Sequence, residues 1–309
     1  MAKRILGIQI GEYRVICVEA KISGGIVAEK IATAPLPELS VVNGVITKPM
    51  EVVEVLEAII TKMEIVTDNT ILNIPANLAQ IKCIPTEENY LNITHDELEW
   101  ELAQHFNEPM EEFTTSAFVL PITTVLIAAK TVPMEVRASI AEKVGLTVLS
   151  VDPEPIAIFN LFSTIEGSKP KRDIVIINIQ VPYSHIVIFA RGEFWNGGIF
   201  FTPPELFNLS EGKKTWREFT DDLVSTIKIA MRTYTKFNPA FEPGTIAIVG
   251  RILKEGVSST ISSQFNADIV DIPSLLKKKT KFKHKKAKIS AEESAVALGL
   301  VAHGQTLIR

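Results

Sequence analysis

The chain has 309 residues, a formal net charge of −4, 46% hydrophobic and 22% charged content, the proportions of an ordinary water-soluble globular protein with room for a large core and about two domains. The slight acidity gives no reason to expect nucleic acid as a partner. No apolar run reaches the roughly 18 residues of a membrane helix, and the run after the basic start is broken by Gly7, Gln9 and Gly11, unlike a secretory leader.

In chain order, residues 5–10 predict a buried strand, Gly11-Glu12-Tyr13 a tight turn, 15–18 the return strand and 26–33 a third, which makes an antiparallel meander. Asn43-Gly44 signals a turn. Thr47 is placed to cap a helix over 49–63, where Pro49 sits early and its missing N–H costs nothing. Residues 70–74 and 79–84 predict strands. Thr94-His95-Asp96-Glu97 reads as a capping box opening a helix to about 107, before Pro109. Strands follow over 113–120 and 124–129, then a helix from Pro133 that stops at Gly145. Residues 146–151 predict a strand and 155–162 a helix, with a linker at 167–170.

The stretch RDIVIINIQVPYSHIVIF, residues 172–189, then repeats the pattern of RILGIQIGEYRVICVE, residues 4–19. Each has a basic pair, an apolar strand ending in an amide (Gln9, Asn178), a turn and a return strand. Two such hairpins half a chain apart predict a duplicated architecture. Residues 200–213 read as irregular, 216–236 as an amphipathic helix, and 246–249 as a buried strand ending at Gly250. Ser290 and Glu293 form a capping box for a last helix over 291–303.

Cys17 and Cys83 lie in apolar runs without metal spacing and predict buried, reduced thiols. The five histidines show no ligand spacing, and Ser184-His185 cannot act as a hydrolytic pair because neighbours in a strand face opposite ways. The acidic stretch 108–112 reads as a solvated loop. The run KKKTKFKHKKAK, 277–288, holds eight of the 32 Lys and Arg side chains, against 36 Asp and Glu in the whole chain, and so reads as one basic loop on an acidic body. Lys277, Lys278, Lys279, Lys281, Lys283, Lys285, Lys286 and Lys288 read equally as a solvated loop without a partner or as a patch for an anionic lipid surface, where each is worth up to about 1 kcal/mol.

In this order the sequence resembles the PilM/FtsA family of actin-like proteins of pilus assembly and cell division. The resemblance is carried by LGIQIGEYRVICVEA, NGVITKPMEVVEVLEAI, ELEWELAQHF before Pro109, VLIAAKTVPMEVRASIAEKVGL followed by VLSVDPEPIAIF, Asn196-Gly197-Gly198, and AVALGLVAHG. It implies an α/β, actin/Hsp70-like (ribonuclease H-like) duplicated fold of two lobes with an extra subdomain. The expected division is 1–40, 146–169 and 289–309 for the first lobe, 41–145 for an inserted α+β subdomain, and 170–288 for the second lobe. It also implies a cytoplasmic protein peripheral to the inner membrane, whose partner is the short cytoplasmic tail of a PilN-like membrane protein held beside the extra subdomain.

The same resemblance marks a nucleotide cleft at Gln9, Gly11, Glu12, Asn178, Gln180, Gly250 and Arg251. Active relatives carry a carboxylate at the end of each first strand to hold the water shell of Mg²⁺. Here both are neutral amides, which lack the charge a hard cation needs. Gln180 and Pro182 replace turn glycines, Glu12 puts a negative charge where a phosphate would lie, and Gly250 is followed by bulky Arg251-Ile252-Leu253. The expectation is a scaffold without a cofactor and without catalysis. The alternative is an actin-like protein of pilus, secretion or cell-division machinery that still binds ATP.

Overall fold

The computed structural model describes residues 3–22, 25–87, 97, 104–106, 110–167, 172–277, 280–282 and 290–307. The chain starts with the antiparallel strands Lys3–Ile10 (β1), Arg14–Ile22 (β2) and Ile26–Pro35 (β3). A short hairpin of Val41–Val42 (β4) and Val45–Ile46 (β5) turns at Asn43 and Gly44, both with positive φ. Helix Pro49–Met63 (α1) follows, with Lys48 and not Thr47 at its N-cap; the Thr47 hydroxyl bonds the Leu39 carbonyl instead. Strand Asn69–Ile74 (β6) runs parallel to β1.

Strands Ala79–Pro85 (β7), Phe113–Val119 (β8) and Thr123–Lys130 (β9) make a separate antiparallel sheet in the order β7-β9-β8. Helix Thr131–Lys143 (α2) then leads to strand Thr147–Pro153 (β10), parallel to β6, and to helix Glu154–Glu166 (α3).

The second half repeats the first. Asp173–Ile179 (β11), Tyr183–Ala190 (β12) and Glu193–Phe201 (β13) form an antiparallel meander. Helix Trp216–Phe237 (α4) has a complete capping box between Thr215 and Glu218. Strand Thr245–Gly250 (β14) returns parallel to β11, and helix Val257–Phe265 (α5) and the short strand Asp268–Ile269 (β15) complete the sheet. Helix Ile272–Lys277 (α6) and strand Thr280–Phe282 (β16) lead to the last helix, Ala295–Leu307 (α7).

The two large sheets therefore read β10-β6-β1-β2-β3-β16 and β15-β14-β11-β12-β13. Each is a three-stranded meander with two parallel strands beside its first strand, which is the duplication the two hairpins predicted. Both β1 and β11 lie between two neighbours, so their runs are buried on both faces, as a central strand requires.

Helix α7 is apolar around its circumference because it is buried all round. It packs on β1 and crosses α3 at Gly299, where a Cβ would stand 1.9 Å from the Ala157 carbonyl oxygen. The main core cluster runs through α3 and α7 into both lobes and the small sheet. Phe159 of α3 stacks on Phe118 of β8 at 6.0 Å and meets Phe194 of β13 edge-on at 5.3 Å. The small sheet also touches the second lobe directly: Asn196 Nδ2 donates to the Ile81 carbonyl at 3.0 Å, and the Ile122 N–H donates to Glu193 at 3.3 Å.

Two expected boundaries are corrected. The segment 41–145 is not one insertion, because α1 packs under the first sheet and β6 is one of its inner strands; the separate sheet spans only Ala79 to Lys130. A parallel neighbour for β1 has to come from downstream, and β6 supplies it. The basic run is also not wholly a loop of the second lobe. Thr280–Phe282 pairs with Ile26–Ala28 of β3 and satisfies the open edge of the first sheet.

Candidate functional site

The ends of β1 and β11 come together across the lobes, as the repeated hairpins imply. Gln9 and Asn178 are both buried, and each is tied to neighbours. Gln9 Nε2 donates to Glu154 Oε1 at 3.2 Å, and Asn73 Nδ2 donates to the same oxygen at 2.9 Å. Asn73 Oδ1 accepts the Ile10 N–H at 2.7 Å. Strand order explains the cluster: β1, β6 and β10 are adjacent and parallel, so residues at their C-terminal ends converge.

Glu154 is fully buried, and burial pushes its carboxyl up to about 7 despite the Asn73 and Gln9 donors and the more distant Arg137 charge. Arg137, also buried, donates to the Gly44 carbonyl at 2.9 Å, and burial lowers it to about 10. Across the cleft, Asn178 Oδ1 accepts from Gln180 Nε2 at 3.1 Å, while its Nδ2 lies 3.4 Å from His185 Nε2. Burial drives the His185 imidazole down to about 3, so it is neutral.

The backbone donors that a phosphate would need are bonded internally. The Gly11 N–H goes to the Arg14 carbonyl at 3.0 Å and the Gln180 N–H to Ser184 Oγ at 3.0 Å. The Gly250 N–H goes to the Glu292 carbonyl and the Arg251 N–H to the Ile179 carbonyl, both at 2.8 Å. Gly250, with φ +85°, is retained for a packing reason: a Cβ there would stand 2.2 Å from the Ile179 carbonyl oxygen.

Glu12 reaches across to the β4–β5 turn, where its two oxygens accept the Asn43 and Gly44 N–H groups at 3.1 Å each. Burial raises its carboxyl and the two N–H bonds pull it back. Arg251 lies over the Phe207 ring at 5.5 Å, and its guanidinium is lowered to about 10 by burial and by neighbouring Arg14. Two small cavities of about 20 and about 10 Å³ lie between the lobes, lined among others by Gly11, Glu12 and Gln180. Each holds roughly one water.

The larger opening is elsewhere. A groove of about 510 Å³ lies between the small sheet and the first lobe, walled by residues 114–118 of β8, residues 150–153 of β10, and parts of α3 and α7. Its titratable groups among the described residues are Asp152 and His303, joined at 2.6 Å between Asp152 Oδ2 and His303 Nδ1. Ser150 Oγ donates to the other Asp152 oxygen at 2.5 Å. The bond to Asp152 raises the His303 imidazole, with burial opposing.

Gln9, Gly11, Glu12, Gln180 and Arg251 line one small cavity, Asn178 bonds Gln180, and Gly250 adjoins Asn178; Glu154 and Asn73 meet Gln9, and Arg137 lies near Glu154. Glu154 was visible as an acid before Pro155 at a helix start; Asn73 and Arg137 gave no local signal. Of the lysines, Lys277 ends α6 and Lys281 lies in β16, while 278, 279, 283, 285, 286 and 288 fall outside the described residues. Residues 94–96 of the capping box and 108–109 of the acidic stretch also fall outside them, while Met110–Glu112 form a short 3-10 helix with Glu111 and Glu112 exposed, where a loop was expected. Cys17 and Cys83 are free, and burial pushes both up to about 12, so they are unreactive thiols. No group of His, Cys, Asp and Glu suited to a metal occurs among the described residues, and none of their helices is long and apolar enough to cross a membrane.

No protein-family model and no curated protein matches the sequence. The fold matches a solved structure of a PilM-PilN type IV pilus biogenesis complex with a TM-score of 0.74 at 14% identity, covering 98% of this chain and 99% of that one. It also matches a Bacteroides thetaiotaomicron protein of actin-like ATPase fold and unknown function, with a TM-score of 0.52 at 9% identity over 87% of this chain and 91% of that one. The chain therefore has the actin-like ATPase fold, in the arrangement of the PilM-PilN structure.

Proposed function

We propose that this protein is a scaffold of a type IV pilus-type inner-membrane assembly platform, that it binds the cytoplasmic tail of a PilN-like membrane protein, and that its interlobe cleft does not serve ATP. The observation that carries the second half is the state of the cleft. Gln9 and Asn178 offer amides in place of carboxylates, four backbone N–H groups of the three turn motifs are already bonded within the protein, and the two small cavities found there hold about one water each. A nucleotide would have to break those bonds and displace Glu12 from the Asn43-Gly44 turn without a metal to offset its charge.

The partner rests on fold: the chain matches the PilM-PilN structure over nearly its whole length. The groove between the small sheet and the first lobe is large enough for a peptide tail. The protein would work in the cytoplasm, peripheral to the inner membrane, and the lysine run would add attraction to anionic headgroups.

Two measurements test this. Mg-ATP at 1 mM should leave the melting temperature within about 1 °C, because a ligand with a Kd of about 10 μM would add about 2.7 kcal/mol at that concentration. A clear shift means that the cleft still takes nucleotide. A synthetic peptide of the N-terminal cytoplasmic tail of the PilN-like protein encoded in the same genome should bind by calorimetry. No detectable heat at millimolar peptide removes the partner.

A further inference from the structure

Leucine rarely takes the left-handed backbone conformation, because its Cβ then crowds a carbonyl. Leu39 sits there all the same, with φ +59° and 64% of its surface exposed. The loop around it is tied down. Ser40 is fully buried and its hydroxyl donates to Glu51 Oε2 at 2.6 Å. The Ser40 carbonyl accepts the Thr47 and Lys48 N–H groups at 2.9 and 3.2 Å, and the Thr47 hydroxyl bonds the Leu39 carbonyl. Lys48 Nζ donates to the Glu38 carbonyl at 3.0 Å, which sets an ammonium beside the leucine. Val45 and Met50, on either side of Thr47 in the chain, are also exposed. The segment thus holds an apolar tip in solvent with a cation next to it.

A matching hollow lies on the second lobe. Phe200, Phe201, Pro203 and Phe219 wall a pocket of about 410 Å³ between the end of β13 and α4, together with Glu205, Lys214 and Asp222. Phe201 is 58% exposed. Lys214 is bonded to Asp222 at 2.7 Å, so the lining carries two carboxylates to one ammonium. An apolar side chain accompanied by a cation complements both the phenyl walls and the surplus negative charge.

The two features hold the same place in the two halves of the duplicated chain. Residues 36–48 join the third meander strand β3 to α1, and residues 202–215 join β13 to α4. They also flank the same end of the cleft: Gly44 and Tyr183 line one cavity there, and Tyr183 meets Phe201 edge-on at 6.1 Å. We infer that two copies of this chain associate about a two-fold axis at that end, with Leu39 and Lys48 of each copy seated in the Phe200–Phe201 pocket of the other. Tip and pocket on one end favour a closed pair with two equal contacts, whereas a head-to-tail chain needs them at opposite ends. This association depends neither on the tail partner nor on the state of the cleft.

Sedimentation velocity of the full chain from about 5 to about 200 μM should show a monomer–dimer equilibrium, the micromolar range expected of a small interface with a few anchors. Leu39→Gly removes the tip at a φ that glycine adopts freely. It should weaken the dimer about tenfold or more while the melting temperature, read at a concentration where the parent is monomeric, stays equal or rises. Phe201→Ser should weaken the dimer from the other side. An equimolar mixture of the two variants keeps one intact contact per pair and should associate more tightly than either variant alone. A parent that stays monomeric throughout overturns the inference and leaves the tip and pocket to other partners. Variants that dimerise like the parent, or a parent that grows beyond the dimer with concentration, overturn it as well.

Discussion

Replacing Glu154 by Gln should stabilise the protein, and only at neutral and alkaline pH. Glu154 is fully buried under Gln9 and Asn73, and its carboxyl titrates near 7 in the folded protein against an ordinary value of 4.5. An acid whose folded value is raised holds its proton more tightly when folded. Its contribution is therefore intact below about 4.5 and is lost as the pH rises towards 7, at about 1.4 kcal/mol per pH unit, or about 3 kcal/mol across the interval. Gln stands in for the neutral acid: its carbonyl can accept from Asn73 and Gln9, and it cannot ionise. The attraction of Arg137 for the carboxylate opposes the effect, but it ranks below burial and both side-chain hydrogen bonds. Urea denaturation of the parent and of Glu154→Gln between pH 5 and 8.5 should show a stability difference that is small at pH 5 and grows to 2–3 kcal/mol by pH 8, as the order-of-magnitude linkage requires. A difference that stays flat, or a variant less stable at pH 8, would mean that Glu154 is held ionised by its donors and Arg137.

His303→Gln should show the opposite pH trend. The bond to Asp152 raises the imidazole, so its stabilisation is present below about 6.5 and fades as pH climbs through the higher folded value. The variant should lose about 1 kcal/mol at pH 6 and much less at pH 9, with equal losses counting against a charged pair. Gly299→Ala should cost about 1–3 kcal/mol, because its methyl would stand 1.9 Å from a backbone carbonyl of α3 and the helices must part; an unchanged urea midpoint would refute that contact. Glu12→Ala leaves the Asn43 and Gly44 N–H groups without their acceptor. It should cost about 1–2 kcal/mol and speed exchange at both amides, while unaltered exchange would show the bridge to be idle.

Much of the fold was legible locally. The hairpins at 4–19 and 172–189, the Asn43-Gly44 turn, the helix from Pro49, the stop at Gly145 and the Ser290–Glu293 box all show in neighbouring residues, because strand period, turn chemistry and capping act over a few positions. The box bonds form as expected, although regular helix begins only at Ala295. The short strand β15, the helix α5 and the pairing of Thr280–Phe282 were not legible. They depend on distant partners, and a three-residue strand has no period of its own.

The sequence by itself determined that the chain is duplicated, that each half places an amide at the end of its first strand, and that Glu12, Gln180 and Pro182 stand in the two turns that follow. Only the tertiary structure decided that Gln9, Asn73 and Glu154 form one buried cluster, that Glu12 is spent on the β4–β5 turn, and that, among the described residues, β8 and β10 are end strands lining one groove. The physical reason is range. Turn and strand preferences are written in adjacent residues, whereas a desolvated carboxyl or an unpaired strand edge is set by which distant segments the sheet order makes neighbours.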